Sequence, residues 1–251
     1  MVSENRKKNA RTDCFQCPLR KLDRFRSFTP AELQFVANFK KGELNADAGS
    51  TILVEGSHSA HLYTVLDGWG FRYKILEDGR RQILNYLVPG DMVGLQGAVM
   101  DEMQHSVEAL TDMKLCVFER EQLYSLFEKH SGLGYDLTWI AAREESILDE
   151  HLLSVGRRTA LERAAYLLAF LYDRGKWRRQ LTGSGRNVPV TQIHVADTLG
   201  LSIVHTNKTL RKLASRNLIR WLDRGCEILD PEGLAQLANW EANVTEVRPF
   251  I

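Results

Sequence analysis

The sequence predicts an α+β protein with an N-terminal antiparallel β-roll, a long helix and a C-terminal winged helix-turn-helix. Three patterns predict it: short β-branched and aromatic runs between glycines over 41–118, a long helical stripe after Leu133, and a helical hairpin over 191–215. The 251 residues are 44% hydrophobic and 26% charged, which is typical of a soluble globular protein with room for two domains. The sequence lacks an apolar run of about 18 residues, so we expect no membrane span.

Residues 1–27 form a polar, basic N-terminal arm that carries the pair Cys14 and Cys17. The arm lacks the apolar centre of a signal peptide, so we expect a cytoplasmic protein without a disulfide framework. Thr29-Pro30-Ala31-Glu32 then has the features of a helix start, namely a threonine cap, a proline at the first position and an acid in the first turn. We expect this helix to continue to about Phe39.

The sensor region, 28–130, has runs of strand-forming residues at intervals of roughly ten residues, as in a small antiparallel barrel or roll. Asp78-Gly79 is a strong hairpin signal. Short helices are predicted near 93–99 and 121–130. The predicted strands are Thr51–Val54, His61–Leu66, Gly70–Leu76, Gln82–Val88 and Lys114–Phe118.

A long helix is predicted over 131–155, with an apolar stripe along one face. The stripe could pack on its own domain, or it could form the seam of a homodimer. We favour the dimer, because a two-fold protein reads two half-sites while a single small module binds weakly. The predicted dimer residues are Leu137, Ile140 (or Ala141), Leu148 (or Ile147) and Leu152, with Val155 at the end of the stripe.

The DNA-binding domain is predicted over 156–237, around the two short helices of 191–215. Gly200 can take the left-handed conformation that ends the first helix, and Ser202 is a good cap for the second. The second helix carries a polar, basic face fit for a major groove. An ordinary helical hairpin is the alternative. The residues predicted to meet DNA are Ser202, Ile203, Val204, His205, Asn207, Lys208, Arg211, Lys212, Arg220 and Arg224.

Charge is distributed unevenly along the chain. Between Ser154 and Gly225 there are fourteen Lys and Arg against four Asp and Glu, an excess of +10 in a chain of net charge +1. A basic segment that coincides with a helix-turn-helix is what binding to a phosphate backbone requires. The partner predicted here is therefore double-stranded DNA.

Around the helix-turn-helix we expect a helix over 157–172 and a basic loop over 173–189, with possible hairpin strands near Gln180 and Val188. After it, Leu218–Trp221 and Cys226–Leu229 flank a turn and form the hairpin of a wing, which would place Arg220 and Arg224 near phosphates. Asp230 and Pro231 start a last helix that ends near Asn239. The tail, 238–251, carries no recognisable signal.

A β-roll, a long helix and a winged helix in this order resemble the Crp/Fnr superfamily of bacterial transcription regulators. The resemblance covers about 14–237 and includes the cyclic-nucleotide-binding-like roll of that superfamily. It implies a homodimer on a palindromic site, a signal sensed in the roll, and RNA polymerase as a further partner. The residues that carry it are Leu87–Gly94 (LVPGDMVG), His105-Ser106, Cys116–Glu119 and Gly156–Arg163. The LVPGDMVG run is closer to the oxygen-sensing FNR branch than to the cyclic-AMP-binding branch.

The resemblance implies that a cyclic-nucleotide pocket needs a Gly-Glu pair for the ribose and an Arg for the phosphate. We expect Gly90-Asp91 and His105-Ser106 at these positions, so the fixed charge for the phosphate is missing. Cyclic nucleotide binding is therefore not expected, unless a basic residue elsewhere substitutes.

The resemblance also implies a 4Fe–4S cluster held by three arm cysteines and one roll cysteine. Cys14, Cys17 and Cys116 match three of these positions, and Asp23 stands at the fourth. A carboxylate can ligate iron, so Cys14, Cys17, Asp23 and Cys116 are the candidate ligands. The alternatives are a redox-active thiol pair, a zinc site, or no inorganic cofactor with Cys116 as an ordinary buried residue. Cys226, in the wing, is expected to be structural.

Family members often present Glu and Arg to base edges, and the matching positions here are Val204 and Lys208. Lys208 can donate to guanine and Asn207 can pair with adenine, while Val204 can only contact a thymine methyl. The half-site should therefore differ from the common ones.

Catalysis is not expected. A cupin-like metal enzyme would need a close His-x-His pair with a carboxylate, but His58 and His61 are three positions apart. No Ser-His-Asp pattern or phosphate loop is present either.

Overall fold

The computed structural model describes residues 11–176, 186–223, 225–241 and 247–251. The helices and strands follow the predicted order. Among the described helices, none is both long enough and apolar enough to cross a bilayer. In chain order the helices are α1 (Pro30–Phe39), α2 (Leu95–Met100), α3 (Leu123–Lys129), α4 (Ser131–Arg157), α5 (Ala160–Arg174), α6 (Gln192–Leu199), α7 (Ile203–Ser215) and α8 (Pro231–Ala238).

Two four-stranded antiparallel sheets form the predicted roll, with strand orders β1-β8-β3-β6 and β2-β7-β4-β5. Their facing side chains, among them Val65, Val107 and Leu115, form an apolar cluster inside the roll. A third sheet, in the order β10-β11-β9, is the wing. The strands are β1 (Lys40–Ala46), β2 (Thr51–Leu53), β3 (His61–Asp67), β4 (Gly70–Ile75), β5 (Arg81–Leu87), β6 (Met92–Val93), β7 (Ser106–Ala109), β8 (Met113–Glu119), β9 (Asn187–Val188), β10 (Ile219–Leu222) and β11 (Gly225–Ile228).

Three strands of the roll were not predicted, namely β1, β6 and β7. β1 reads KKGELNA, which lacks strand-forming residues and is mostly half-buried, and it pairs along its length with β8. β6 and β7 are only two and four residues long. Their pairing partners β3 and β4 determine these strands, because β propensity depends on the neighbouring strand as much as on the residue.

Helix α1 starts as the sequence predicts. Thr29 and Glu32 form a reciprocal capping box, with the Glu32 N–H donating to Thr29 Oγ1 at 3.2 Å and the Thr29 N–H donating to Glu32 Oε2 at 2.8 Å. Arg26 in the arm donates to both Glu32 and Asp136 of α4. These contacts hold the arm and α1 against the start of the long helix.

Two of the four residues predicted for the dimer seam on the long helix are buried within the subunit. Leu137 and Ile140 are buried in the core of their own chain, so in this conformation they are not available to a second subunit. They face inward because α4 lies along the roll, and this packing requires apolar side chains on the inner face. Leu148 is half-buried, while Leu152 remains 73% exposed. Of the four predicted residues, only Leu148 and Leu152 are therefore accessible from outside the subunit.

The winged helix is assembled on α5, whose buried face includes Leu168 and Leu171. Both HTH helices pack on α5, and β11 pairs with β10 and with β9. Val188 thus lies in a strand, as anticipated, while Gln180 falls outside the described residues. The apolar core of this domain is continuous with that of the arm and the outer face of the roll. The sensor and the DNA-binding domain are therefore packed together.

The last five residues, 247–251, return to the sensor domain. Arg248 forms a parallel β-bridge with Phe25 of the arm, and Phe250 and Ile251 are buried. The sequence contained no signal for this contact, because the segment is too short for a periodic pattern.

Candidate nucleic-acid interface

The turn of the helix-turn-helix has the predicted geometry. Gly200 ends α6 with φ +64°, in the left-handed region that glycine tolerates. Ser202 caps α7, since its Oγ accepts from the His205 N–H at 3.3 Å. Thr191 and His194 form a capping box at the start of α6. Both helices therefore have a side-chain cap at their N-termini, and each cap satisfies a backbone N–H that the helix leaves unpaired.

The outer face of α7 is exposed and basic, and no acidic residue lies on this helix. Val204 is 71% exposed and is the most prominent apolar residue on the face. The inner face of α7 includes Leu210 and Leu213, which are buried in the domain core. Side-chain burial on one face thus orients the predicted reading residues outward. The exposed residues on this face include Ser202, Ile203, His205, Lys208, Arg211 and Lys212.

Asn207 differs from the other predicted reading residues. It is half-buried, and its Oδ1 has no hydrogen-bond partner among the described residues. The neighbouring Thr206 and Thr209 are fully buried, and Thr209 Oγ1 donates to the His205 carbonyl at 2.9 Å. Asn207 therefore lies at the edge of the exposed face rather than at its centre.

Of the two wing arginines that were predicted to contact phosphates, the structure describes one, Arg220. Arg220 projects from β10 and forms an ion pair with Glu227 of β11, with Nη2 and Oε2 separated by 2.7 Å. This pairing reduces the positive charge that Arg220 offers to DNA. Arg224 lies outside the described residues. Cys226 is buried in the wing sheet, in agreement with a structural role.

A cavity of about 630 Å³ lies between the roll and α4. It contains a basic residue, Arg72, but Arg72 forms an ion pair with Glu144 of α4, which also accepts from Asn85 at 3.0 Å. Burial and the nearby charges of Arg72 and Lys74 lower the pKa of His105, the other basic lining residue, to about 3. The cavity thus presents one paired cation and a neutral imidazole.

Gly90 and Asp91, the pair that was expected at the ribose-binding position, do not line this cavity. Gly94 and Leu95 line the cavity, while Asp91 lies outside its wall and forms ion pairs with Arg174 and Arg248. Motif similarity alone could not distinguish Gly90 from Gly94, because both glycines belong to the same short run. The pair that faces the cavity contains no carboxylate, and the carboxylates that line the cavity, those of Glu144, Glu145 and Asp149, come from α4.

The three candidate cysteines come together around the start of the roll. Cys14, Cys17 and Cys116 lie close enough to influence one another's charge, and the Lys40 ammonium lies among them. Burial raises the pKa of all three thiols, that of Cys116 to about 12. Burial thus disfavours the thiolate form of all three cysteines.

Asp23, the predicted fourth ligand, is exposed and is not among the charges that act on these thiols. Within the described ranges, no group of three or more His, Cys, Asp and Glu side chains is placed to hold a metal ion. The donor set as folded does not fit a four-ligand iron–sulfur cluster, and we derive no chemistry from one.

No sequence pattern indicates the contact between the DNA-binding domain and the roll. Arg81 Nε of β5 donates to Asp197 Oδ2 of α6 at 2.8 Å, and the Tyr86 hydroxyl lies 2.8 Å from Thr198 Oγ1. Gln82 Nε2 donates to the Thr198 carbonyl at 2.9 Å. α6 is thus fixed on the sensor sheet while the outer face of α7 remains free.

Two family models match the chain in the order of these structural units. Residues 43–130 match the cyclic nucleotide-binding domain, and residues 162–237 match the Crp-like helix-turn-helix domain. The first match covers the roll and the second covers the winged helix.

Similar proteins span almost the same length. The nitrogen fixation regulation protein FixK of Bradyrhizobium diazoefficiens is 30% identical, over 90% of this chain and 93% of its own. FixK of Rhizobium meliloti is 33% identical, over 76% of this chain and 84% of its own. The transcriptional activator protein FnrL of Cereibacter sphaeroides is 26% identical, over 82% of this chain and 83% of its own.

Among solved structures, FixK2 from Bradyrhizobium japonicum shares the fold. Its TM-score is 0.66 at 23% identity, over 81% of this chain and 98% of that one. The roll, the long helix, the winged helix and these full-length similarities agree: the chain belongs to the Crp/Fnr family of DNA-binding transcription regulators.

Proposed function

We propose that this regulator binds a palindromic DNA site as a homodimer, with α7 of each subunit in a major groove. The observation that carries the proposal is the exposed face of α7, which is basic, contains no acid and begins at a capped N-terminus. Recognition helices of this type insert their N-terminal residues between the phosphate backbones. The relatives are named as regulators, so we propose binding rather than catalysis.

Within this helix we assign base reading to Val204 and Lys208. Both are exposed and lie one turn apart on the same face. A lysine donates to guanine O6 or N7, and an apolar side chain contacts a thymine methyl. Asn207 contributes at the edge of the face, and Ser202, His205, Arg211 and Lys212 contact phosphates. Arg220 is a secondary phosphate contact because it is shared with Glu227.

The dimer seam that we propose runs along the exposed face of α4. Positions 138, 141, 145, 148, 152 and 155 follow a 3-4 spacing, and all of them are exposed or half-buried. This heptad spacing keeps one face of a helix directed at a partner helix. Ala141, Leu148, Leu152 and Val155 supply its apolar contacts, replacing Leu137 and Ile140 of the original prediction.

Selection of bound sites from randomised duplex DNA tests the reading and the symmetry together. We expect enrichment of an inverted repeat whose half-sites are about one helical turn apart, because two α7 helices related by a two-fold axis read the same word. Enrichment of a single unrepeated word would contradict the dimer, and recovery of unenriched DNA would contradict sequence reading.

We further propose that the regulator activates transcription through contact with RNA polymerase. Several relatives, FnrL among them, are named as transcriptional activators, and this supports the direction of regulation. Transcription in vitro from a promoter that carries the selected site, with purified RNA polymerase, is the test. A fall in transcript on addition of the regulator would show repression instead.

A further inference from the structure

Residues 247–251 (VRPFI) lie against the N-terminal arm and the base of the roll, far from the helix that precedes them in sequence. The backbone of Arg248 pairs with the arm in both directions: its N–H donates to the Arg24 carbonyl at 2.8 Å, and its carbonyl accepts from the Arg26 N–H at 3.0 Å. The segment thus forms an isolated parallel β-bridge with the arm.

The side chain of Arg248 is buried, and its Nη2 makes two hydrogen bonds. Its Nη2 donates to the Gly90 carbonyl at 2.7 Å and to Asp91 Oδ1 at 2.9 Å, and its guanidinium lies 5.4 Å from the centre of the Phe25 ring. Asp91 also accepts from Arg174 of α5. One buried carboxylate therefore binds both the tail segment and the first helix of the DNA-binding domain.

The rest of the segment fills an aromatic site. The centroid of the Phe250 ring lies 4.8 Å from that of Phe25 and 5.1 Å from that of Phe28. Phe250 is only 5% exposed. The Thr64 hydroxyl of β3 donates to the Ile251 carbonyl. Val247, by contrast, is 57% exposed. The sensor domain thus binds an arginine, an aromatic ring and a backbone carbonyl of the segment. Such a set of contacts is typical of peptide recognition.

We propose that residues 247–251 are an intramolecular peptide ligand of the sensor domain and fasten the DNA-binding domain to the roll. Nine residues, 238–246, separate the segment from the end of the DNA-binding domain at position 237. When the segment is bound, it adds a covalently linked anchor to the contacts of Arg81 with Asp197 and of Tyr86 with Thr198. A peptide that carries Arg-Pro-Phe-Ile is the ligand class of this site.

Backbone hydrogen exchange on the full chain tests the proposal. The test variant is the double substitution Arg248→Ala and Phe250→Ala, and the matched control is Val247→Ala, which alters an exposed neighbour in the same segment. In the double variant we expect the arm peptide that contains Arg26 to exchange at least about tenfold faster, because its N–H loses the Arg248 carbonyl as a stable partner. Faster exchange should extend to α6, while β3 and β8 stay protected and the control matches the parent chain.

A second measurement uses a fluorescently labelled peptide of residues 245–251 (TEVRPFI). We expect it to bind the double variant saturably and to restore slow exchange in the arm, while the same peptide with alanine in place of Arg248 does neither. If the double variant loses protection in β3 and β8 as well, the milder Phe250→Leu variant is used for both measurements. Unchanged exchange in the arm, or failure of the peptide to bind the folded variant, overturns the proposal.

Discussion

Arg248 and Asp91 are 157 positions apart in the sequence and form a buried ion pair, with Nη2 and Oδ1 separated by 2.9 Å. Asp91 belongs to the LVPGDMVG run on which the family resemblance depends. Its carboxylate is directed at two guanidiniums, those of Arg174 and Arg248, and not at the sensor cavity. A residue first considered for ligand binding is thus a link between three parts of the chain.

Replacing Asp91 with asparagine should lower the free energy of unfolding by about 3–5 kcal/mol. The substitution leaves two buried guanidiniums without their counter-charge, and breaking a buried pair from one side has this cost. Urea denaturation followed by circular dichroism measures it. Asp78→Asn, on an exposed hairpin turn, is the control and should leave the stability nearly unchanged. An equal effect of the two substitutions would show that the ion pairs of Asp91 do not stabilise the fold.

His151 should make the protein less stable in mild acid. It lies half-buried on α4 with its Nδ1 2.7 Å from the Tyr166 hydroxyl of α5, and loss of solvent, together with the charges of Arg174 and Arg72, lowers its pKa from 6.5 to about 4. Between these two values the unfolded chain binds a proton that the folded chain does not, so stability is complete above pH 6.5 and falls toward pH 4. The loss is about 3 kcal/mol over that window.

The measurement for His151 is the urea midpoint at a series of pH values. In His151→Gln the part of the slope between pH 6.5 and pH 4 that comes from this residue should disappear. His58→Gln, at an exposed histidine, is the control for the removal of an imidazole. A slope that survives in His151→Gln would assign the acid sensitivity to other groups.

Lys208→Ala should weaken binding to the selected site by about 1–3 kcal/mol and relax specificity at one base position, because a base-edge contact is lost. Lys212→Ala is the matched control on the same helix. It should weaken binding evenly across sequences and reduce the salt dependence by about one ion, as loss of a phosphate contact does. Fluorescence anisotropy on the selected site and its single-base variants distinguishes the two. A uniform loss with Lys208→Ala would remove it from base reading.

Leu152→Arg should shift the protein toward the monomer, because it places a charge in the proposed seam of α4. Leu153→Arg is the control: it adds the same charge to a leucine that is 50% exposed and lies on a different face of the same helix. Sedimentation equilibrium measures the dissociation constant of each variant. We expect an increase of at least about tenfold for Leu152→Arg, which corresponds to about 1.4 kcal/mol. Equal effects of the two variants would place the seam elsewhere.

Anaerobic incubation with iron and sulfide should leave the protein colourless, because the exposed Asp23 does not complete the group of Cys14, Cys17 and Cys116. Visible absorption and iron content measure this. A broad visible band with stoichiometric iron, lost in Cys116→Ser, would show that the arm rearranges to bind a cluster.

The sequence by itself determined the fold class and the identity of the reading helix. Hydrophobic periodicity, the caps at Thr29 and Ser202 and the turn at Gly200 are local features, and local features act through backbone geometry that neighbouring residues set. The basic segment and the outward residues of α7 follow from the same periodicity. For these elements each local preference agrees with the final structure.

Only the tertiary structure decided which partners the remaining side chains meet. Leu137 and Leu152 occupy equivalent positions in the apolar stripe of the sequence, yet Leu137 is buried and Leu152 is exposed. The difference arises because the roll covers the beginning of α4 but not its end. Asp23 and Asp91 are both acids near a recognised motif, yet one is exposed and the other is enclosed by two arginines. The two ion pairs of Asp91 join residues 83 and 157 positions apart, and no local pattern specifies the neighbour that a side chain will meet across such a distance.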